Sequence, residues 1–257
     1  MILLLDLGNH RLKWQLRPHA GASPVTTGGV GWDGDWRAML VRAMRASPRP
    51  SKALVACVAD SGRRDELRSF LEAQGVEDIT FPMALADLAG VKNAYRNPSR
   101  LGIDRWCAVV AAYRRCRSAV LVADAGTAWT YDLVDGAGQH RGGWIAPGTE
   151  TQRRSLHTAT ASLPCLDAEA AGQISRAITW GRDTEEAIRN GVRAMSTGLL
   201  SLAEEAARQS LGSCFVKVAT GGDREALELL RARNYTIIED IVLEGLALYA
   251  GEEHDAP

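Results

Sequence analysis

The sequence predicts an α/β protein made of two similarly built halves, and three observations carry that expectation. Apolar runs at residues 1–5 and 119–123 each end in an Asp-Gly turn, Asp6-Leu7-Gly8-Asn9 and Asp124-Ala125-Gly126-Thr127. Each turn is followed by a segment that reads as a returning strand, residues 11–17 and 128–134. Beyond these hairpins, short apolar strands alternate with stretches of helical spacing, as in a mixed α/β fold.

In the first half, residues 20–34 are rich in Gly, with Ser, Thr and Pro, and read as strand and turn. Residues 36–46 carry Trp36, Met39, Leu40, Ala43 and Met44 at helical spacing. Residues 53–58 form a short buried strand, and residues 64–74 a helix stopped by Gly75. Residues 79–81 read as another strand before Pro82. From 93 to 100 the Tyr, Asn, Pro and Ser content signals an irregular segment. Gly102-Ile103-Asp104 then opens a helix whose body is residues 105–117.

The second half repeats the plan. Two strands are followed by a turn at Asp135-Gly136-Ala137-Gly138 and a third strand around 143–146. Pro147-Gly148 precedes a helix over 149–158, and residues 159–182 read as connecting structure. A long helical stretch over 183–209 has Ile188, Val192, Met195, Leu199 and Leu202 on one side. Strand 215–219 ends in Thr220-Gly221-Gly222-Asp223, with a helix at 225–231, a strand at 236–238 and an apolar helix at 241–250. The expected domains are residues 1–117 and residues 118–257, the second holding the long helix.

Composition narrows the function classes. The 257 residues are 46% hydrophobic and 24% charged, as in globular proteins. Thirty basic against 31 acidic residues give a formal charge of −1, so no global positive field favours nucleic acid. The basic stretch at 42–52, with Pro48 and Pro50, reads as a solvated helix end plus loop. Cysteines 57, 107, 116, 165 and 214 are scattered with no CxxC pair, which fits reduced thiols and a cytoplasmic location. The apolar N-terminal run stops at Asp6, too short for a signal peptide or a membrane span. Histidines 10, 19, 140, 157 and 254 show no zinc-binding spacing.

The Asp-Gly turns are the chemical lead. Glycine lets backbone N–H groups approach phosphate oxygens, and the adjacent acid can hold a cation that neutralises phosphate charge. Lys13 adds an ammonium near the first turn, and the second turn adds the hydroxyls of Thr127 and Thr130. An ordinary hairpin is the plain alternative for the first turn. Thr220-Gly221-Gly222 is a bare backbone against which a flat group such as adenine can lie, or simply a turn. Asp104 and Arg105 stand side by side at a helix start. As a bland feature Asp104 meets the helix dipole; as chemistry it accepts a proton while Arg105 pairs with a carboxylate.

Taken together, Asp6-x-Gly8-Asn9 with Lys13, Tyr95, Leu101-Gly102-Ile103-Asp104-Arg105-Trp106, Asp124-Ala125-Gly126-Thr127-Ala128 and Gly142-Gly143-Trp144-Ile145-Ala146-Pro147-Gly148 resemble the type III pantothenate kinases. Asp183-Thr184 and Thr220-Gly221-Gly222 complete the likeness, which spans residue 1 to about 250. This family shares its ancestry with the Bordetella accessory factor proteins. The resemblance implies two ribonuclease H-like halves of the actin-like ATPase superfamily with a nucleotide cleft between them. It implies ATP-dependent phosphorylation of pantothenate to 4′-phosphopantothenate, the first step of coenzyme A biosynthesis. Asp6, Leu7, Gly8, Asn9, His10, Arg11, Leu12 and Lys13, helped by Thr127, would bind the ATP phosphates. Asp6 would organise Mg2+ through water, and Asp124 would bind a monovalent cation, K+ or NH4+. Asp104 would be the proton acceptor. Tyr95, Gly102, Ile103, Asp104, Arg105 and Thr184 would shape the pantothenate pocket. Members are homodimers packed through the long helix. His10 departs from the family's usual Thr or Ser. The competing readings are a regulatory protein on the same fold and a kinase for another small hydroxy acid.

Overall fold

Leu3, Leu4 and Leu5 have no solvent exposure, because the apolar run they form is covered on both faces. They lie in β1 (Ile2–Leu7), which pairs antiparallel with β2 (Arg11–Arg17). β2 in turn pairs antiparallel with β3 (Thr26–Gly31). After α1 (Trp36–Arg45), β4 (Lys52–Cys57) returns parallel to β1. α2 (Ser61–Ala73) then leads to β5 (Asp78–Thr80), parallel to β4. The sheet order is β3-β2-β1-β4-β5. One face packs Leu3, Leu5, Leu7, Leu12 and Trp14 against Trp36 and Leu40 of α1 and Leu67 and Leu71 of α2. A small hairpin, β6 (Asp87–Leu88) with β7 (Val91–Lys92), and a 3-10 turn at Pro98–Arg100 precede α3 (Ile103–Cys116).

The second sheet repeats the first. β8 (Val120–Ala125), β9 (Ala128–Val134) and β10 (His140–Pro147) form an antiparallel meander. α4 (Thr149–Ala159) and α5 (Thr184–Leu211) precede β11 (Val216–Gly221), which runs parallel to β8. α6 (Arg224–Ala232) then connects to β12 (Thr236–Ile237), parallel to β11. The order β10-β9-β8-β11-β12 matches the first sheet strand for strand. Its core joins Ala123, Trp129 and Tyr131 to Leu200 and Ala203 of α5 and Leu227 and Leu230 of α6.

The structure, a computed structural model, describes residues 1–45, 49–167 and 178–251. Ala46 and two further residues of the 42–52 stretch, residues 168–177 of the expected connecting segment, and His254 lie outside the described residues.

By its contacts the chain divides into Met1–Arg115 with Asp240–Pro257, and Cys116–Glu239. That division differs from the expected 1–117 and 118–257 at the C-terminal end. The last helix, α7 (Ile241–Tyr249), packs on β1 and β4 of the first unit. Seven of its nine residues are buried, and Glu244, on the remaining open side, pairs with Arg115 of α3 at 3.2 Å. Gly245 makes the burial possible: a Cβ there would lie 2.0 Å from the Cys107 carbonyl oxygen of α3. At the start of α7, the Gln15 side chain of β2 donates to the Asp240 carboxylate at 3.1 Å.

Candidate active site

The first acidic turn is set by strand register. Asp6 stands directly opposite Lys13 on β2 and Ala56 on β4. Directly opposed residues share a sheet face, so the Lys13 stem rises beside the Asp6 carboxylate. Within the turn, Gly8 N–H donates to the Arg11 carbonyl at 3.0 Å. Asn9, His10 and Arg11 are exposed, whereas Leu7 and Leu12 are buried core residues. Leu7 and Leu12 thus anchor the turn from below. The turn's carbonyls are held from outside. Trp32 Nε1 donates to Gly8 at 3.0 Å, Trp32 N–H to His10 at 3.3 Å, and Arg63 Nη1 to Asn9 at 2.9 Å.

Asp104 enters the first turn of α3, and its carboxylate accepts from the Arg105 N–H at 2.7 Å. It folds back over residue 102, where a Cβ would lie 2.7 Å from Asp104 Oδ1. Glycine at 102 therefore gives the carboxylate its place. Ile103 and Arg105 are buried. The Arg105 guanidinium donates to the Tyr95 hydroxyl at 3.0 Å and lies 5.9 Å from the Tyr95 ring centroid. Tyr95 is itself positioned by Asn93, whose Oδ1 accepts the Tyr95 N–H at 2.9 Å. The Asn93 amide also donates to the carbonyls of Leu85 and Pro98, tying the irregular segment together. Burial, with the Asp104 and Asp6 carboxylates adding, pushes the Cys107 thiol well above the usual thiol range. The Cys57 thiol is also pushed up, by burial first, with Asp6 among the charges that raise it.

The second acidic turn occupies the equivalent place in the second unit. Asp124 stands opposite Thr130 on β9 and Thr220 on β11. Backbone approach here is closer than around Asp6. A Cβ at 148 would lie 2.1 Å from the Gly126 carbonyl, and one at 221 would lie 2.1 Å from the Ala125 carbonyl. Gly221 also has φ +122, a conformation that side chains disfavour. Thr127 O accepts from Gly148 N–H at 2.9 Å and Thr151 Oγ1 at 2.7 Å, fixing α4 against the turn. Asp223 is the hub. It accepts from Trp129 Nε1 at 3.2 Å, Thr149 Oγ1 at 2.5 Å and, as the cap of α6, Ala226 N–H at 3.1 Å. Thr184, the first residue of α5, is exposed beside the cap Asp183, which accepts the Glu186 N–H at 2.8 Å.

Of the expected site residues, residues 6–13, Tyr95, Gly102, Ile103, Asp104 and Arg105 belong to the first unit, and Asp124, Thr127 and Thr184 to the second. Sequence reasoning missed Trp32, Arg63, Asn93 and Thr149. None carries a motif; Trp32, Arg63 and Thr149 act through hydrogen bonds to groups distant in sequence, and Asn93 through bonds within its own irregular segment. Asp223, placed by the sequence at the end of the Gly-Gly turn, also bonds Trp129 and Thr149.

The fold is that of the actin-like ATPases and sugar kinases. The activator of 2-hydroxyisocaproyl-CoA dehydratase from Clostridium difficile, solved with bound ADPNP, superposes with a TM-score of 0.52 at 12% identity, over 97% of this chain and 93% of that one. A conserved Campylobacter jejuni protein, named for the Baf family of transcriptional activators, gives 0.57 at 19% identity, over 95% and 94%. The family model for type III pantothenate kinase matches residues 2–205. Type III pantothenate kinases from Alkalilimnicola ehrlichii and Pseudomonas savastanoi pv. phaseolicola are 38% and 37% identical, over 97% and 96% of this chain and 98% of each relative. The chain belongs to the type III pantothenate kinase family.

Proposed function

We propose that the chain catalyses ATP-dependent phosphorylation of pantothenate to 4′-phosphopantothenate, the opening step of coenzyme A synthesis. Family membership supports the reaction. The observation that carries the reading on the molecule itself is the Asp104 segment. Its carboxylate sits at the head of α3, accepting the Arg105 N–H over the space that glycine leaves at 102, while Arg105 is buried against Tyr95.

Phosphoryl transfer needs positioning and charge neutralisation more than covalent help from protein groups. Asp104 accepts the proton of the attacking pantothenate hydroxyl. Arg105 meets the pantothenate carboxylate, with Tyr95, Gly102 and Ile103 shaping the pocket and Thr184 contributing from the head of α5. Residues 6–13 and Thr127 receive the ATP phosphates. Among the described residues no three His, Cys, Asp or Glu side chains form a metal cluster. Asp6 would hold Mg2+ and Asp124 would hold K+ or NH4+, each cation neutralising charge on the phosphate tail. Met195 and Leu202 of α5 are 54% and 64% exposed, which supports a homodimer packed through that helix. A formal charge of −1 gives nucleic acid no global attraction. No helix among the described residues is long and apolar enough to cross a membrane. The scattered cysteines support a cytoplasmic enzyme.

The test is transfer of label from ATP to pantothenate, with and without potassium. Asp104→Asn lowers turnover by about 10²- to 10⁴-fold, the range for a lost general base, and leaves ATP affinity unchanged. Wild-type turnover in that variant removes Asp104 from the mechanism. No product from the unaltered chain with potassium present ends the pantothenate reading, and a purely regulatory protein gives that result.

A further inference from the structure

We infer that Trp32 and Arg63 are positioning residues for the ATP phosphates, acting through the carbonyl groups of the β1–β2 turn. The inference rests on reading that turn as a phosphate loop. Three successive carbonyls of the turn accept hydrogen bonds from outside it: Gly8 from Trp32 Nε1, Asn9 from Arg63 Nη1, and His10 from Trp32 N–H. A trans peptide is planar, so the N–H of each following residue points opposite to the carbonyl before it. Holding the Gly8 and Asn9 carbonyls therefore turns the N–H groups of Asn9 and His10 to the other side. Successive N–H groups presented together make a concavity suited to an anion.

The holders are themselves fixed. Trp32 follows β3, which pairs with β2, and the Arg63 guanidinium lies 4.7 Å from the Trp32 ring centroid. Asp60, the cap of α2, accepts the Arg63 N–H at 3.1 Å and pairs with its Nε at 3.6 Å. The guanidinium is thus held by an aromatic face, a carboxylate and the turn at once. One of its five N–H groups goes to the Asn9 carbonyl, and through that bond the residue orients the turn.

Trp32→Phe removes one donor without changing charge and keeps a ring for Arg63; Arg63→Ala removes the other donor. Binding of ATP and of a non-hydrolysable ATP analogue is measured by calorimetric titration, and amide exchange of residues 7–12 is followed in the ligand-free protein. Trp32→Phe weakens nucleotide binding by roughly fivefold, the worth of about one hydrogen bond, and speeds exchange at residues 8–10. The ATP KM rises in step, whereas the pantothenate KM stays as in the unaltered protein, and the lost indole bond lowers the melting temperature by about 2–4 °C. Unchanged nucleotide affinity in both variants overturns the inference. A parallel loss in both KM values also overturns it, because that pattern marks a structural role only. Nucleotide binding is read without the acceptor, so a chain that binds ATP but does not phosphorylate pantothenate fails the proposed function and still tests this one.

Discussion

Replacing Asp223 by Asn tests how the second acidic turn is held, because neither orientation of the new amide can satisfy its surroundings. The carboxylate accepts on Oδ2 from Trp129 Nε1 at 3.2 Å, Thr149 Oγ1 at 2.5 Å and Thr149 N–H at 3.4 Å, and on Oδ1 from Ala226 N–H at 3.1 Å. With the amide oxygen toward Trp129, the NH2 group faces the Ala226 N–H and the α6 cap is lost, at about 1 kcal/mol. The remaining bonds also lose their charge assistance, at roughly 1 kcal/mol more. With the amide turned over, the cap survives but NH2 faces the indole N–H, which can only donate. A buried donor left without an acceptor costs about 1–3 kcal/mol. Both routes reach about 2–3 kcal/mol, and Asp223→Ala, which keeps no acceptor, exceeds them. Urea unfolding followed by tryptophan emission and far-UV dichroism measures the loss as a lower midpoint at unchanged slope. A change below about 0.5 kcal/mol for the Asn variant, within the range of ordinary surface substitutions, would show that Asp223 is not the hub.

Two further outcomes follow from buried groups. Gly245→Ala places a Cβ 2.0 Å from the Cys107 carbonyl, and because the obstacle is backbone, α3 and α7 must separate. The expected cost is about 3 kcal/mol or more, seen as a lower melting temperature; an unchanged one refutes the close helix contact. Stability also falls in alkali. The Cys107 thiol and the Tyr131 and Tyr235 hydroxyls are all pushed up by burial, with Glu204 adding at both tyrosines. Above the ordinary values of 9.0 and 10.0, the unfolded chain releases protons that the folded chain keeps, so unfolding free energy declines as pH rises. Urea midpoints at neutral pH and through pH 9 to 11 check the decline. Tyr131→Phe with Tyr235→Phe removes the part above pH 10 and costs little at neutrality, since neither hydroxyl has a hydrogen-bond partner.

The duplicated plan was legible in the sequence because its signals are local. An apolar run, an Asp-Gly turn and a returning alternation of residues specify strand, turn and strand without distant information. The β6–β7 hairpin was not legible: its strands are two residues each, too short for any period to register. The apolar character of α7 announced burial but not the surface that buries it. Chain order suggested the second half, and the small residue at 245 decided for α3 and β1 instead. Three of the four missed residues at the site share one cause. Trp32, Arg63 and Asn93 serve backbone groups, and a backbone carbonyl looks the same in every sequence. Only the fold reveals which side chain has been brought to it.

The two acidic turns show what duplication fixes and what it leaves free. Strand order and register put Asp6 and Asp124 at the same point of equivalent sheets, yet their surroundings have diverged in charge. The first turn carries Arg11 and Lys13 and is held by Arg63. Residues 124–130 and 147–151 contain neither Lys nor Arg. There the close packing is backbone on backbone, at Gly148 and Gly221, and the charged side chains of those residues are Asp124 and Glu150. The two equivalent turns therefore differ in charge, and the difference follows from side chains that the sheets themselves do not constrain.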